Sequence, residues 1–398
     1  MANYLLKHDD DTVAQIALGP EGQFNELVSI KDNVLMPVGT KDRKSLAAWW
    51  GDRSVSKAQS EFLRKIRDNG YTMTSQFLMM NLAVSMTDHY WICPQGSTLQ
   101  WKDVSPFSNE FSPVVIPMAK ASSDIHSINE LNPNASSQGQ MEKRWAIRDG
   151  KRVLYKYHAG NHFSAINEVF ASRLYDDMGL KDHVVYELAV QDGHLCSVCE
   201  AFTSEEVEFV PAYELCGRRT VNYQAFIDNA VNLAGLDEDY VRRFMDVQTQ
   251  MDYLISNSDR HMNNFGFLRS SKDLKYVGMA PVFDNDRSMI DDRLFSEKGA
   301  SFTQADILTQ KANTFKTLER DNLKRILPEN LRLVDLSLIP SGHDIRDFYR
   351  KHLKYYYNDI IGDALTRQIQ MKTHFLQMVQ DGKSLGEYFA SLTGRPRK

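Results

Sequence analysis

The alternation of apolar and polar residues in the first forty positions predicts three short β-strands. The segments Asn3–Lys7, Thr12–Leu18 and Phe24–Ile30 alternate in this way, and Asp residues or a Gly/Pro turn separate them, which is typical of a small antiparallel sheet. Apolar residues then recur every three or four positions, as in amphipathic helices. Such helices are predicted over Leu46–Trp50, Ala58–Ile66 and Phe77–Val84. The chain is therefore predicted to begin with an α+β unit.

A change in amino-acid composition separates this unit from the rest of the chain. Between about Pro94 and Ser137 the chain is rich in Ser, Asn and Pro, which is typical of a connector. From Lys143 onward, two strands flank Asp149-Gly150, and this dipeptide favours the positive φ angles of a tight hairpin turn. An amphipathic helix over Phe163–Leu174 comes next, and Gly179 is predicted to end it.

The remaining pattern is two strands and then mainly helix. Strands are predicted over Val184–Val190 and Leu195–Phe202. Beyond Pro211 the chain is predicted to be mainly helical, with its clearest helix over Asp237–Ile255. The order is hairpin, helix, strands, helices, with no internal repeat.

Composition narrows the class of protein. The chain has 398 residues, 42% of them hydrophobic and 25% charged, which suits two or three packed units and excludes a disordered chain. Its net charge of -5 gives no overall positive field, so direct nucleic-acid binding is not expected. No apolar run approaches the roughly 18 residues that span a bilayer, so we expect a cytoplasmic protein with no membrane segment. The four cysteines are too few for a disulfide framework and are expected to be reduced thiols.

The densest chemistry lies in two polar loops that adjoin apolar segments. Asn257–Leu268 follows the predicted long helix, and Ala280–Asp286 is an apolar run that ends in carboxylates. Phosphoryl transfer needs one carboxylate to orient the attacking hydroxyl, and an Asn with a second carboxylate to hold Mg²⁺ on the nucleotide phosphates. Asp259, Asn264 and Asp284 fit these roles.

These residues carry a family resemblance. Asp-Arg-His-x-x-Asn, followed by a strand and a second Asp, resembles the catalytic and metal-binding loops of HipA-like kinases and, distantly, of phosphoinositide-type kinases. Upstream, Ser136–Lys143 is similar to the phosphate-covering loop of HipA-like proteins, with Ser, Gly and Lys at the same offsets. The resemblance implies an α+β, two-lobed protein-kinase-like fold, with a small antiparallel sheet lobe, a larger helical lobe and the appended N-terminal unit. The predicted domains are 1–125, 126–204 and 205–398.

The resemblance also implies a set of site residues. Asp259 and His261 belong to the catalytic loop, with His261 interpreted as support for the backbone, and Asn264 and Asp284 are the Mg²⁺ ligands. A strand lysine contacts the phosphates and a helix glutamate positions it, while the segment joining the lobes binds adenine through its backbone. The residues expected to bind ATP are Ser136, Ser137, Gly139, Lys143, Lys156, Glu168, Glu200 and Phe202.

Several alternatives remain open at this level. The phosphate loop has a single glycine, and Asp286 competes with Asp284 as principal metal ligand. For both Lys156 and Glu168, the alternative to a role in the site is a side chain that simply points to solvent. Cys196 and Cys199 have C-x-x-C spacing, but a strand would point them to opposite faces, so metal binding is disfavoured. The basic, aromatic segment Tyr349–Tyr357 is interpreted as an amphipathic helix with Phe348, His352 and Tyr355 facing inward.

The identity of the phosphoryl acceptor is also open. The resemblance implies a protein Ser or Thr, a toxin–antitoxin or phage-related setting with an antitoxin or repressor-type partner, and autophosphorylation of Ser136. The alternatives are a small-molecule or lipid-type kinase and a nucleotide-binding regulatory module without turnover. A closed basic pocket over Asn285–Gln304, with Arg287, Arg293 and Lys298, would favour a phosphorylated small substrate.

Overall fold

A computed structural model describes most of the chain. The described residues are 2–56, 59–111, 130–137, 139, 141–157, 162–191, 193–217, 222–289, 310–353, 359–384 and 387. The chain divides into two compact units, each built from separate stretches of sequence. The first comprises Met1–Tyr157, Val198–Val210 and Phe267–Gly278, and the second comprises His158–Ser197, Pro211–Gly266 and Met279–Lys398. The division into 1–125, 126–204 and 205–398 stays a prediction.

The N-terminal sheet is antiparallel, with three of its four strands where the alternation predicts them. The strands are β1 (Ala2–His8), β2 (Asp11–Leu18), β3 (Phe24–Ile30) and β4 (Tyr90–Pro94), in the order β3-β2-β1-β4. Both faces of β4 are largely buried, so it lacks the alternation that identifies the other strands. Its neighbour β1 is thereby an interior strand of the sheet.

Three helices contribute to one hydrophobic core with this sheet. They are α1 (Arg43–Arg53), α2 (Ser60–Asp68) and α3 (Thr74–Met80). The prediction of a helix over Phe77–Val84 is wrong at both ends. The helix starts at Thr74 and stops at Met80, because Leu82 and Ala83 adopt left-handed φ angles of 52° and 55°, which no α-helix accommodates. The apolar spacing continues past the helix since Leu82, Ala83 and Val84 are buried in a turn.

A second antiparallel sheet contains the predicted hairpin. After α4 (Trp101–Val104) come the strands β5 (Glu142–Arg148), β6 (Lys151–Tyr157), β7 (Tyr186–Gln191) and β8 (His194–Glu200), in the order β5-β6-β8-β7. Asp149 and Gly150 have φ angles of 53° and 77°, which confirms the tight turn. Between β6 and β7 lies α5 (His162–Asp177), and Gly179, with φ 68°, follows its end as predicted.

The remaining chain is mainly helical, and one helix sets the position of the candidate site. The remaining elements are β9 (Val207–Pro211), α6 (Ala212–Cys216), α7 (Tyr223–Asn232), α8 (Glu238–Ile255), β10 (Gly266–Ser270), β11 (Tyr276–Met279), α9 (Glu319–Leu323), α10 (Gly342–Leu353) and α11 (Asp359–Gln380). Helix α8 begins after Asp237, whose side chain caps the Tyr240 amide, and ends at Ser256 in a left-handed conformation. Strands β9, β10 and β11 form a sheet in the order β11-β10-β9.

One prediction about side-chain burial needs correction. On α10 the buried residues are Ile345, Tyr349 and Leu353, whereas Phe348 and His352 are only half-buried; Tyr355 lies outside the described residues. The inward stripe is therefore offset by one position from the predicted one. Cys196 and Cys199 are both buried, because β8 is covered on both faces, and neither forms a disulfide. Within the described ranges, no helix combines the length and the apolar character that crossing a membrane requires.

Candidate active site

The predicted catalytic loop directly follows α8 in two successive turns. The Asp259 amide donates to Asn257 Oδ1 (3.0 Å), the His261 amide to the Asp259 carbonyl (2.8 Å) and the Asn264 amide to the His261 carbonyl (2.8 Å). The side-chain amide of Asn264 donates to the Asp259 carbonyl (2.9 Å). The Asp259 side chain remains half-exposed, and its Oδ1 accepts a hydrogen bond from Asn313 (3.2 Å).

Arg260 organises this loop. Its guanidinium is 1% exposed and is paired with Asp252 on α8 (3.1 Å). The same group donates to the carbonyl of Asn264 (2.8 Å), the carbonyl of Phe283 and the side chain of Asn285. One guanidinium therefore holds the backbone beside both predicted metal ligands, Asn264 and Asp284. The motif by itself assigned no role to Arg260, although an arginine inside a polar loop, eight residues after an acid on a helix, is a detectable signal.

The second loop is joined to the first by backbone bonds. The Ser258 amide donates to the Arg287 carbonyl (3.1 Å), and the Met289 amide donates to the Ile255 carbonyl (2.6 Å). Asp284 itself has a left-handed φ of 60°, a conformation that non-glycine residues adopt at a cost and often at functional sites. Its side chain is half-exposed, while Asp286 is only 5% exposed. Because the Asp284 side chain is more exposed to solvent, Asp284 is better placed than Asp286 to bind a cation.

Helix α5 supports the second loop through Asn167, which the sequence did not single out. Its side-chain amide donates to the Ser288 carbonyl (2.6 Å) and its oxygen accepts from the Tyr349 hydroxyl (2.8 Å). The neighbouring Glu168 is fully buried and accepts from the Ser197 hydroxyl (2.7 Å). The solvent-exposed interpretation of Glu168 is therefore wrong. Its predicted role as the partner of Lys156 stays a prediction.

The predicted phosphate loop lies in the first unit. Ser136 ends a 3-10 turn, Pro133–Ser136, and Ser136 and Ser137 are both buried; residues 138 and 140 lie outside the described residues. Gly139 has φ 99°, and a Cβ at this position would lie 2.7 Å from the Lys143 ammonium nitrogen. The positive φ favours glycine here, whereas the flexible end of the Lys143 side chain can move to make room for a Cβ.

Lys143 and Lys156 face each other on the hairpin. The register pairs them directly across β5 and β6, so their side chains leave the same face of the sheet. Lys156 is 2% exposed and Lys143 is half-buried, so the solvent-exposed interpretation of Lys156 is wrong. Two lysine side chains therefore share one face of the hairpin.

The predicted adenine-binding segment continues from β8. The Ala201 amide donates to the Arg152 carbonyl (2.9 Å), which ties the segment to β6. The Glu200 side chain is exposed and paired with Lys151, while the half-buried Phe202 ring makes an edge-to-face contact with Phe209 (5.5 Å). The predicted role of Glu200 and Phe202, to bind adenine through their backbone, stays a prediction.

The electrostatics of the catalytic loop centre on one ion pair. Burial raises the pKa of Asp252, even though Arg260 stabilises its charged form. Burial disfavours charge on Arg260 as well, but the charge of Asp252 and its hydrogen bonds outweigh it and raise the pKa of Arg260. The arginine therefore stays charged and keeps its donors for the loop carbonyls. His261, half-exposed, accepts from the Asn263 amide at Nδ1 (3.3 Å), in keeping with support of the backbone.

The metal prediction rests on a sparse donor set. In the described part of the chain, no cluster of three or more His, Cys, Asp or Glu side chains is arranged to hold a metal ion. Asn264 and Asp284 offer one amide oxygen and one carboxylate. This set fits Mg²⁺, which usually takes one or two carboxylates from the protein and completes its octahedron with water and substrate phosphates. A site of this kind depends on a phosphate-bearing ligand.

Comparisons with known proteins show which solved structures share this fold. No protein-family model matches the chain, and no curated protein matches it either. Among solved structures, the Shewanella oneidensis MR-1 toxin–antitoxin complex of HipA, HipB and operator DNA matches with a TM-score of 0.53 and 11% identity, over 95% of this chain and 99% of that one. The Helicobacter pylori proinflammatory kinase CtkA matches with a TM-score of 0.48 and 16% identity, over 61% of this chain and 94% of that one. The chain thus has a protein-kinase-like fold of mixed α and β elements. More specifically, it is the HipA-like kinase fold, which confirms the fold that the motifs predicted.

Proposed function

We propose that the protein is a kinase that transfers the γ-phosphoryl group of Mg·ATP to a hydroxyl group. The observation that carries the proposal is the pair Lys143 and Lys156, which face each other across the hairpin beside Gly139. Two lysines on one face, next to a glycine with a positive φ, suit the phosphates of a nucleotide. In the second unit, Asp259, Asn264 and Asp284 are held on two interlocked loops and offer the carboxylates and the amide that phosphoryl transfer requires for the acceptor hydroxyl and Mg²⁺.

The roles follow from the chemistry of each side chain. Asp259 orients the acceptor hydroxyl and receives its proton as the new oxygen–phosphorus bond forms. The bond from the γ-phosphorus to its bridging oxygen breaks, and ADP leaves. Asn264 and Asp284 would hold Mg²⁺, which when bound supplies positive charge to the phosphate oxygens. Lys156 and Lys143 neutralise phosphate charge, and Arg260 keeps the two loops in place.

For the acceptor, we propose a serine or threonine hydroxyl of a protein. The likeness to the HipA chain of a complex that also contains HipB and operator DNA supports an antitoxin-type partner. Of the segment predicted to separate protein from small-molecule acceptors, residues 290–304 lie outside the described residues. A small-molecule or lipid-type acceptor is therefore an outcome of the phosphosite experiment rather than a second proposal.

Ser136 is the proposed site of autophosphorylation. Its hydroxyl donates to the carbonyls of Val84 (3.0 Å) and Pro133 (2.9 Å) and is buried. A phosphate on this oxygen would remove the donor, add charge in a buried position and repel the phosphates of ATP. Phosphorylation of Ser136 would thus expel the loop and switch the enzyme off.

The test is turnover of radiolabelled ATP by wild type and Asp259→Asn, with Asp335→Asn as control. Asp335 is an exposed capping residue of the second unit. We expect at least about a 100-fold loss in Asp259→Asn and wild-type turnover in the control. Equal turnover in all three proteins would refute the assigned role of Asp259.

Phosphosite mapping of the same reactions tests the acceptor. Label on Ser136 supports autophosphorylation, and label on an added partner protein supports a protein acceptor. Label found only on inositol or sugar head groups would replace the protein acceptor with a small-molecule one.

A further inference from the structure

A short hairpin, residues 310–319, leads into α9 in the second unit. Lys311 and Leu318 pair as an antiparallel bridge, and the Ala312 amide donates to the Thr317 carbonyl (2.9 Å). Another backbone bond, from the amide of residue 319 to the carbonyl of residue 310 (3.2 Å), closes the base of the hairpin. The backbone of this segment is therefore held by its own hydrogen bonds.

The hairpin is anchored through the ring of Phe315. The centroid of this ring lies 5.3 Å from that of Tyr223, 5.7 Å from that of Phe226 and 6.0 Å from that of Phe265. Phe226, on α7, and Phe265 are both buried, so the hairpin is packed against the interior of the unit. Phe265 directly follows Asn264 in the catalytic loop. One aromatic cluster thus holds the hairpin and the end of the catalytic loop together.

The backbone of Asp259 is fixed within the catalytic loop itself. Its amide donates to Asn257 Oδ1, and its carbonyl accepts from the His261 amide and the Asn264 side chain. The rotation of the carboxylate about its side-chain bonds is then what remains variable, and for aspartate the last of these torsions is broad. In the described part of the chain, the side chain that donates to this carboxylate is Asn313 of the hairpin, from Nδ2 to Oδ1 (3.2 Å).

We propose that Asn313 is a positioning residue for Asp259. The inference rests on the proposed function, in which the Asp259 carboxylate receives the proton of the acceptor hydroxyl. The bond from Asn313 holds Oδ1 toward the hairpin, which leaves Oδ2 to receive the proton. Because the packing of Phe315 has already ordered the hairpin, this bond costs little further conformational entropy. A carboxylate that is held in one orientation before the acceptor binds lowers the barrier to proton transfer.

Three variants separate a positioning role from a structural one. Asn313→Leu removes the donor at similar size, and Asn313→Gln keeps an amide donor one methylene farther from the backbone. Thr317→Ala is the matched control, because it changes an exposed residue of the same hairpin and leaves in place the carbonyl that accepts from the Ala312 amide. Asn313 and Thr317 are both exposed, so all three variants should keep the wild-type melting temperature.

The first measurement is turnover of radiolabelled ATP as a function of Mg·ATP concentration, which gives kcat and KM. In Asn313→Leu we expect kcat to fall about tenfold and KM to stay within about twofold of wild type, because the lost bond orients a reacting group and does not bind ATP. Asn313→Gln should recover most of the loss in kcat. Thr317→Ala should have the wild-type kcat and KM.

The second measurement does not depend on turnover. In ¹⁵N-labelled protein, the side-chain amide resonance of Asn313 is identified by its absence from the spectrum of Asn313→Leu. Asp259→Ala removes the carboxylate that accepts from this amide. We expect the Asn313 resonance to move in Asp259→Ala, since a hydrogen bond to a carboxylate changes the shielding of its donor.

The outcomes separate the inference from the proposed function. An Asn313 resonance that stays in place in Asp259→Ala would overturn the positioning role, whatever the activity. Wild-type kcat in Asn313→Leu, a raised KM with unchanged kcat, or an equal loss of kcat in Thr317→Ala would overturn it as well. A displaced resonance together with no ATP turnover by wild type would support the contact between Asn313 and Asp259 and refute the kinase.

Discussion

Each compact unit holds a buried arginine bonded to a carboxylate, Arg269 with Glu208 in the first and Arg260 with Asp252 in the second. Glu208 accepts from Arg269 at two nitrogens (3.0 and 2.7 Å), from the His8 ring (2.8 Å) and from the His89 amide (2.8 Å). Burial raises its pKa, but these bonds and charges outweigh burial and lower it to about 2.

Asp252 shows the opposite balance. Its donors are Arg260 and the Asn257 side chain (3.2 Å), and burial wins, so that its pKa is raised. Arg260 directs its other N–H groups to the carbonyls of Asn264 and Phe283. In the first centre the donors converge on the carboxylate, whereas in the second the arginine distributes its donors among loops. The first arrangement stabilises packed sheets, and the second positions a site.

The largest expected effect is at Arg260. Arg260→Met leaves Asp252 without its cation and both loops without their link, so we expect a loss of about 3–5 kcal/mol in the free energy of unfolding. Arg260→Lys keeps the charge but lacks the planar fork. In this variant we expect a smaller loss of stability and at least about a 100-fold loss of ATP turnover, because a shift of the loops misplaces the reacting groups. Urea unfolding and turnover assays measure the two effects. Wild-type turnover in Arg260→Lys would contradict the positioning role.

The next prediction compares the stability cost of replacing each carboxylate, Glu208 or Asp252, with its amide. Glu208→Gln weakens the bonds from Arg269 and His8 and leaves the buried Arg269 cation without its carboxylate, so we expect a loss of about 3 kcal/mol. Asp252→Asn should cost about 1 kcal/mol, since the native site already disfavours the charged form. Turnover per folded molecule should stay at the wild-type level in Glu208→Gln and fall in Asp252→Asn. If urea unfolding showed a larger loss of stability in Asp252→Asn than in Glu208→Gln, the contrast between the two carboxylates would be refuted.

The last prediction concerns the pH dependence of the free energy of unfolding, to which Glu208 and Asp252 contribute with opposite signs. Because the pKa of Glu208 falls from 4.5 in the unfolded chain to about 2 in the native protein, its contribution is present above pH 4.5. It is lost as the pH falls toward 2, by roughly 3 kcal/mol. Asp252 has a raised pKa, so its protonation favours the native state as the pH falls.

Urea unfolding between pH 7 and pH 3 measures this difference. Glu208→Gln should flatten the loss of stability in acid, and Asp252→Asn should steepen it slightly. The two variants share chain length and net charge, so each is the control for the other. If the free energy of unfolding of wild type and of Glu208→Gln changed with pH in parallel, Glu208 would not be the residue that causes the loss of stability in acid.

Much of the fold was readable from local pattern. Strands β1 to β3, the Asp149-Gly150 turn and helix α8 lie close to where periodicity and turn chemistry predicted them. The catalytic-loop motif and the second Asp identified the fold correctly, because the spacing of such loops reflects the polar groups they bring together. The facing of Lys143 and Lys156 was also accessible to prediction, since a two-residue turn determines the register of its hairpin.

Other features could not be predicted, for reasons that differ from residue to residue. The strand β4 is buried on both faces and has no alternation, and α3 ends early because Leu82 and Ala83 take left-handed angles within the core. The bonds of Gln59 to Ser137 and Gly139, in the predicted phosphate loop, join residues 78 and 80 positions apart. Nothing in the composition around Gln59 indicates a partner at that distance.

The sequence by itself determined which residue types are present for the proposed phosphoryl transfer and in what order, because turn and loop preferences act over a few neighbouring residues. The tertiary structure alone decided which residues hold them in place. Arg260 and Asn167 in the second unit, and Gln59 in the first, make hydrogen bonds to residues that are distant in the sequence. Such bonds depend on where the packing of apolar faces leaves a polar group buried, and that outcome is a property of the whole fold.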